Sequence, residues 1–260
     1  MLPAFTVIDK ERYSLYCNSY LRVVTIYSQI IHKKEEGSKL LAILIDPDKF
    51  ELDSAFAKAY LKKIPATTTH IFIGGSTDPK RKTTTVVQLL KAETELPVIL
   101  FPGNYNQVTP DADAILFLSL LSGNNAEFLI GQQTKAARAV QQSKLEVIPT
   151  GYLLIDGGSI TAVQRVSQTS PLAQDDTKGI VDTALAGQYL GKKCIYLEAG
   201  SGAKKPVQPS IIKAVCNTIT IPVIVGGGIK NATQMEQAYQ AGATMVVIGT
   251  AFEDNSWNNL

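Results

Sequence analysis

Eight short apolar runs, separated by amphipathic segments, constrain this chain more than any other feature. They lie at 40–46 (LLAILID), 70–75 (HIFIGG), 97–103 (PVILFPG), 114–121 (AILFLSLL), 146–155 (EVIPTGYLLI), 193–200 (KCIYLEAG), 222–228 (PVIVGGG) and 244–250 (TMVVIGT). Each is rich in Val, Ile or Leu and is closed by small or turn-forming residues. Near-continuous hydrophobicity, without alternation between an apolar and a polar face, is the pattern of parallel strands buried on both sides.

Between the runs, segments 50–63, 83–95, 125–142, 180–190, 208–217 and 232–241 place apolar residues at helical spacing, often behind a Ser, Thr, Asn or Asp suited to capping. Strand then helix, repeated, predicts an α/β protein with a parallel sheet. At 260 residues and 45% hydrophobic, the chain matches the roughly 250 residues of one (β/α)8 TIM barrel. An open doubly wound sheet shares the alternation; eight strands and the glycine endings of the last three favour closure. The stretch from Phe101 to Ala114 is too short for a full helix and contains Pro102, Gly103 and Pro110, so the third helix is expected to be missing or irregular. Segment 26–36 reads as a helix covering the bottom of the barrel. Residues 1–24 have no partner in the repeat and are set apart as an extension without an assigned role, which leaves 25–260 as a single barrel domain.

Composition removes several function classes. The 25 basic and 23 acidic residues are spread along the chain with a formal charge of +2, and no basic run is dense enough to follow a nucleic-acid backbone. Cys17, Cys194 and Cys216 are too scattered for a disulfide framework or a zinc site, which fits a reducing cytoplasm. Asp9, Lys10, Glu11 and Arg12 precede any apolar run, the wrong order for a signal peptide, and no run reaches the roughly 18 apolar residues of a membrane span. Contact with a membrane surface from outside stays open.

Chemistry in a (β/α)8 barrel gathers at the carboxyl ends of the strands, and phosphate is commonly held after strands seven and eight. Gly226, Gly227 and Gly228 end the seventh run and lead into a helix near Asn231, while Gly249 and Thr250 end the eighth. Glycine lets backbone N–H groups approach an anion closely, and a helix N-terminus adds about 0.3 to 1 kcal/mol of favourable field; the plainer alternative is that these are turn glycines. Asp46 ends the first run and suits Mg2+, which takes one or two carboxylates plus substrate phosphates, although Asp before Pro, as in Asp46-Pro47, also opens helices, and a helix cap is the plainer reading of Asp48. Ser76 follows Gly74 and Gly75 and is placed to reach the same cation, or else to cap a turn. In the sixth run Tyr196 and Glu198 share a strand face directed into the barrel. A buried carboxylate is costly unless paired or functional, so Glu198 is the candidate general base, with Tyr196 beside it as a second candidate catalytic residue.

Taken together, LIDPDK, IFIGGST, YLEAGSGA, VGGGI and VIGTAF resemble the geranylgeranylglyceryl phosphate synthase family, with its bacterial relative heptaprenylglyceryl phosphate synthase, from about Ile26 onward. FPGNYNQV and FLSLLSGNN look most like the second group of that family. The resemblance implies transfer of a C20 prenyl group from geranylgeranyl diphosphate to the C3 hydroxyl of sn-glycerol 1-phosphate, with release of diphosphate and help from Mg2+. It implies Asp46 and Ser76 as Mg2+ ligands, and a glycerol phosphate lying against Tyr196, Leu197, Glu198, Ala199, Gly200, Ser201, Gly202, Gly227, Gly228, Gly249 and Thr250. It also implies a homo-oligomer, with a hexamer as one form. Where some members carry a lysine two residues before the metal aspartate, this chain has Leu44, and any phosphate contact from it is lost. Phe101, Tyr105, Phe117, Leu120 and Tyr152 near strand ends could line an apolar groove for the prenyl tail or simply pack the barrel. Prenyl length is not fixed by these residues. The competing functions are the same transfer with another chain length, a phosphosugar-handling barrel enzyme, and a noncatalytic phospholigand-binding barrel that would keep Gly228 and Gly249 but not the acidic groups.

Overall fold

A computed structural model describes residues 24–75, 78, 81–253 and 257. Residues 1–23, with Cys17, and Ser76 lie outside the described residues. Eight parallel strands close into one barrel in sequence order, β1 (Leu40–Ile45), β2 (His70–Ile73), β3 (Val98–Leu100), β4 (Ala114–Leu120), β5 (Glu146–Leu154), β6 (Cys194–Glu198), β7 (Val223–Gly226) and β8 (Met245–Ile248). The ring is completed by β1 pairing with β8 from Leu40↔Met245 to Ile43↔Ile248.

Alternate residues of each strand serve two cores. Phe72, Ile99, Leu116, Ile148, Tyr196, Ile224 and Met245 fill the barrel interior. Their neighbours Ile71, Leu100, Ile115, Leu153, Ile195, Val225 and Val246 face the helices. This double burial is why the runs carry no polar face. The covering helices are α2 (Ser54–Lys63), α3 (Thr83–Lys91), α4 (Gln132–Ser143), α6 (Thr177–Tyr189), α7 (Pro209–Thr218) and α8 (Ala232–Gln240), with short α5 (Ala162–Ser167) and α9 (Thr250–Glu253) at the top.

Several boundaries differ from the sequence reading. Phe50 stands before α2 rather than in it, buried against Phe56 and Tyr60, because the side chain of Asp53 accepts from the Phe56 N–H and starts the helix there. The expected helix over 125–142 begins as a π-helical turn, Glu127–Gly131, before continuing as α4. The β5–β6 connection holds an extra helix, α5, whose six residues are too few to show a period in the sequence.

The helix α1 (Ile26–Glu35) seals the lower end, inserting Ile26 and Ile30 into the interior cluster. Its first turn is held twice. Thr25 and Ser28 form a reciprocal capping box, and the carboxylate of Glu146, the first residue of β5, accepts from the Ile26 N–H at 2.6 Å and the Tyr27 N–H at 3.0 Å. Between β3 and β4 no helix forms. There the buried Gln107 accepts from the Gly103 N–H at 2.6 Å, Tyr105 N–H donates to Gln132 Oε1 at 2.9 Å, and the outer face of β4 is left partly uncovered.

Because Glu146 satisfies two N–H groups that α1 cannot satisfy itself, Glu146→Ala is expected to destabilise the barrel by about 1 to 2 kcal/mol. A urea midpoint lowered at unchanged m-value is the expected reading; an unchanged midpoint would show that α1 needs no anchor.

Candidate active site

The carboxyl ends of the strands surround one cavity of about 780 Å³. Asp46, Glu198, Ser201, Gly202, Gly227, Gly228, Gly249 and Thr250 form a polar end, and Phe101, Phe117, Leu120, Phe128, Val163 and Val166 an apolar one.

Glu198 is the last residue of β6 and lies in register with Gly226 of β7. Its Oε1 accepts from the Gly200 N–H at 2.7 Å. Burial pushes the carboxyl up to about 7, against the Gly200 N–H and the neighbouring Tyr196 hydroxyl, both of which favour the charged form. Below it Tyr196 is wholly buried, stacked against Tyr152 with centroids 5.5 Å apart and tilted against Phe101 at 5.1 Å. Burial and the nearby Glu198 charge raise the phenols of Tyr152 and Tyr196, so both remain neutral donors at ordinary pH.

The glycines that follow β7 have a role that sequence reading alone did not show. A Cβ on Gly227 would stand 2.3 Å from Glu198 Oε1 and 2.5 Å from the Gly200 nitrogen. The small residues at the end of β7 make room for the buried carboxylate. Gly228, at φ +70°, would drive a Cβ to 2.9 Å from the backbone of Lys205. A side chain there presses on the β6–α7 loop. Gly249 is different: a Cβ would meet Leu44 at 3.5 Å, an ordinary contact. Ser201 and Thr250 join the β6 and β8 ends through a hydroxyl–hydroxyl hydrogen bond of 2.7 Å.

Not every residue of the sixth run faces the cavity. Leu197 and Ala199 point outward into the helix-side core and are fully buried there, so only their backbone belongs to the mouth. Gly200 serves through its N–H to Glu198. Asp46 lies on the cavity wall with its side chain 28% exposed, its Oδ1 accepting from the Asp48 N–H at 3.0 Å and its Oδ2 3.9 Å from Lys49 Nζ. The next helix is capped by Asp53, not by Asp46 or Asp48. Among the described residues no group of three or more His, Cys, Asp or Glu converges as a metal site.

Phe101, Tyr105, Phe117, Leu120 and Tyr152 all line the cavity. Phe128, Ala162, Val163 and Val166 line it as well and were missed, because they sit on the π-helical turn and on α5, elements too short for periodicity to reveal. With Ile115 and Phe117 on the outer face of β4 and Val108 and Ala136 beside them, the apolar end runs over the barrel wall where a third helix would lie. No helix among the described residues is long and apolar enough to cross a membrane.

Residues 30–260 match the model of the PcrB family. A geranylgeranylglyceryl phosphate synthase of Zunongwangia profunda is 51% identical over 232 residues, covering 89% of this chain and 98% of the relative. One from Flavobacterium johnsoniae is 50% identical over 237 residues, covering 90% and 96%. The crystal structure of (S)-3-O-geranylgeranylglyceryl phosphate synthase from Thermoplasma acidophilum, in complex with substrate sn-glycerol-1-phosphate, superposes with a TM-score of 0.79 at 37% identity, covering 88% of this chain and 92% of that one.

Two expectations follow from the geometry. Gly228→Ala should lower stability by at least about 1 kcal/mol from its left-handed backbone alone, whereas Gly249→Ala should melt near the wild type; equal melting of the two would refute the close approach at Gly228. The second concerns Glu198, whose folded pKa of about 7 lies above its ordinary 4.5. The unfolded chain ionises first, so this group lowers stability as pH rises from about 4.5 to about 7, with the loss complete above that. Glu198→Gln, neutral and of the same size, should therefore melt higher than wild type at pH 8, with the gap closing below pH 4.5; a lower melting point at pH 8 would overturn the assigned shift.

Proposed function

The chain belongs to the PcrB family, and on that premise we propose that it transfers a geranylgeranyl group from geranylgeranyl diphosphate to the C3 hydroxyl of sn-glycerol 1-phosphate. The observation that carries this reading is a buried carboxyl with a pKa near 7, standing in one cavity between a glycine-rich anion cradle and an apolar channel.

The phosphate of glycerol 1-phosphate sits among Ser201, Gly202, Gly227, Gly228, Gly249 and Thr250, which turns the glycerol toward Glu198. The prenyl tail lies over Phe101, Phe117 and Phe128 along the open face of β4. In the transfer, the bond from prenyl C1 to the diphosphate oxygen breaks and its electron pair leaves with the diphosphate. The glycerol C3 oxygen bonds to C1, and its proton passes to Glu198. Orientation supplies much of the acceleration, since the hydroxyl is a weak nucleophile held against an electrophile. Tyr196 and Tyr152 lie beneath Glu198, where their neutral hydroxyls and rings shape the floor.

Asp46 fits Mg2+: it offers one hard carboxylate at the cavity wall and leaves the remaining positions to substrate phosphate oxygens and water, the mode this cation prefers. Ser76 is the second ligand this reading assigns. When bound, the cation neutralises charge on the departing diphosphate. The same reading includes a homo-oligomer, for which exposed Tyr189 and Leu190 at the end of α6 are apolar surface that a second copy would cover. It also includes peripheral contact with the membrane that holds substrate and product, for which exposed Tyr105 and Val166 line the cavity.

The test is incubation with radiolabelled glycerol 1-phosphate and a ladder of prenyl diphosphates, followed by extraction of lipid. Labelled ether lipid should form with the C20 donor and not with glycerol 3-phosphate; no labelled lipid with any donor would overturn the reading, and a maximum at another length would change the donor alone. For the wild type, kcat/KM should rise with pH and level off above about 7, as expected for a base that must be ionised. Glu198→Gln should lower kcat by about 10² to 10⁴. A loss confined to KM would make Glu198 an orienting group.

A further inference from the structure

Glu198 takes a backbone hydrogen bond from the Gly200 N–H, 2.7 Å from Oε1. That nitrogen belongs to a glycine at φ +99°, a conformation that glycine enters freely and that no side chain of its own holds in place. Something outside the turn has to keep the N–H on target. The contact is Thr161: a Cβ on Gly200 would collide with Thr161 Cγ2 and stand 3.0 Å from Thr161 Cβ, so the threonine methyl lies directly over the glycine. We propose that Thr161 is a positioning residue for Glu198, its methyl group seating Gly200 so that the N–H stays aimed at the carboxylate. The proposal rests on the reading of Glu198 as the proton acceptor and adds to it a residue from another strand connection.

Thr161 is itself a fixed point. It is 4% exposed and caps α5, its hydroxyl accepting from the Gln164 N–H at 3.1 Å and its carbonyl from the Arg165 N–H at 3.1 Å. Upstream, the Gly157 carbonyl accepts from the N–H groups of Lys204 at 3.0 Å and Lys205 at 3.1 Å, which ties this connection to the segment that follows Gly200. Downstream, the Ser167 carbonyl accepts from Asn125 Nδ2 at 2.7 Å, and Thr169 packs so closely on Gly123 that a Cβ there would come within 2.7 Å of it. The base of the segment is closed by Asp156 N–H donating to the Leu172 carbonyl at 2.8 Å and Leu172 N–H to the Leu154 carbonyl at 2.9 Å. Held at both ends, the segment keeps Thr161 against Gly200.

The two branches of the threonine side chain do different work. Its hydroxyl starts α5, whereas its methyl meets Gly200. On the other side the Gly200 nitrogen is 2.5 Å from where a Cβ on Gly227 would stand, so the turn is confined between Thr161 and the end of β7. Without the methyl, Gly200 can retreat from Glu198 toward the space the methyl filled. The carboxylate then loses part of a hydrogen bond that favours its charged form, and its pKa rises. The titratable groups that act on Glu198 are the phenols of Tyr196 on β6 and Tyr152 on β5, while β7 presents Gly226 and Gly227.

The experiment compares wild type with Thr161→Ser, which keeps the helix cap and removes the methyl, and Thr161→Val, which keeps a methyl and removes the cap. Ionisation of Glu198 is followed by carbon NMR of protein labelled at the glutamate carboxyls, with Glu198→Gln identifying the signal. In Thr161→Ser the titration should move up by about half a pH unit or more. The matching fall in ionised fraction should lower kcat/KM at pH 6 about threefold. Thr161→Val should lose about 2 to 4 °C in melting temperature with the cap and still titrate as the wild type does. An unmoved or lowered titration in Thr161→Ser, or an equal shift in Thr161→Val, would overturn the assignment. The NMR titration needs no turnover, so the two failures are separable: a wild type that forms no labelled lipid strikes the prenyl-transfer reading, whereas a Glu198 titration indifferent to Thr161 strikes only the positioning role.

Discussion

Closure of the sheet between β1 and β8 is the contact on which the site depends. The pairing from Leu40↔Met245 to Ile43↔Ile248 joins opposite ends of the chain, and it brings Leu44 against Gly249 and Asp46 onto the same cavity wall as Thr250. Register fixes more than neighbours. Because side chains alternate across a strand, a slip of one residue would send Glu198 into the helix-side core and Leu197 into the cavity. The barrel interior guards against this with tightly filled layers in which Phe72, Tyr152 and Tyr196 meet Phe101 and fit in one phase only. Packing below the mouth thus determines which atoms stand in it.

The missing helix between β3 and β4 turns a gap in cover into an asset. A regular barrel would bury the outer face of β4 permanently. Here Ile115 and Phe117 line a channel instead, and Gln107 replaces helical hydrogen bonds by accepting from the Gly103 N–H within the loop. The apolar stabilisation that the fold gives up there is recovered when an apolar chain lies in the channel, at about 0.8 kcal/mol for each methylene removed from water. The apolar surface over β4 thus runs into the polar end of the same cavity without a second domain.

Much of this was legible in the sequence. Eight unalternating runs and the missing third helix are direct consequences of double burial and of Pro102, Gly103 and Pro110, and the structure has both. Strand parity placed Glu198 and Tyr196 inside the barrel, because period two survives in any parallel sheet. What stayed hidden has two physical causes. Helices of one or two turns, such as α5, carry too few residues to show a period, so Val163 and Val166 gave no signal. Close approach across strands is the other: that Gly227 seats Glu198, that Gly228 abuts Lys205, and that Lys82 clamps the turn of Lys49 are facts of tertiary contact between distant segments. The motif also overstated the side chains involved, since a contiguous stretch such as YLEAG alternates its faces and Leu197 and Ala199 belong to the other core.

Glu198 shows how the site holds two opposing requirements together. A carboxyl buried with no donor would stay protonated far above neutral pH and could accept nothing. One well exposed would ionise near its ordinary value and be a weak base. The single N–H of Gly200, 2.7 Å from Oε1, and the Tyr196 hydroxyl offset part of the burial, and the carboxyl comes to rest at about 7. That balance requires the β6 and β7 ends to lie so close that no Cβ fits at Gly226 or Gly227. The glycines there are therefore conditions for the raised pKa itself: any side chain that separated the strands would admit water, lower the carboxyl's pKa, and weaken its proton affinity.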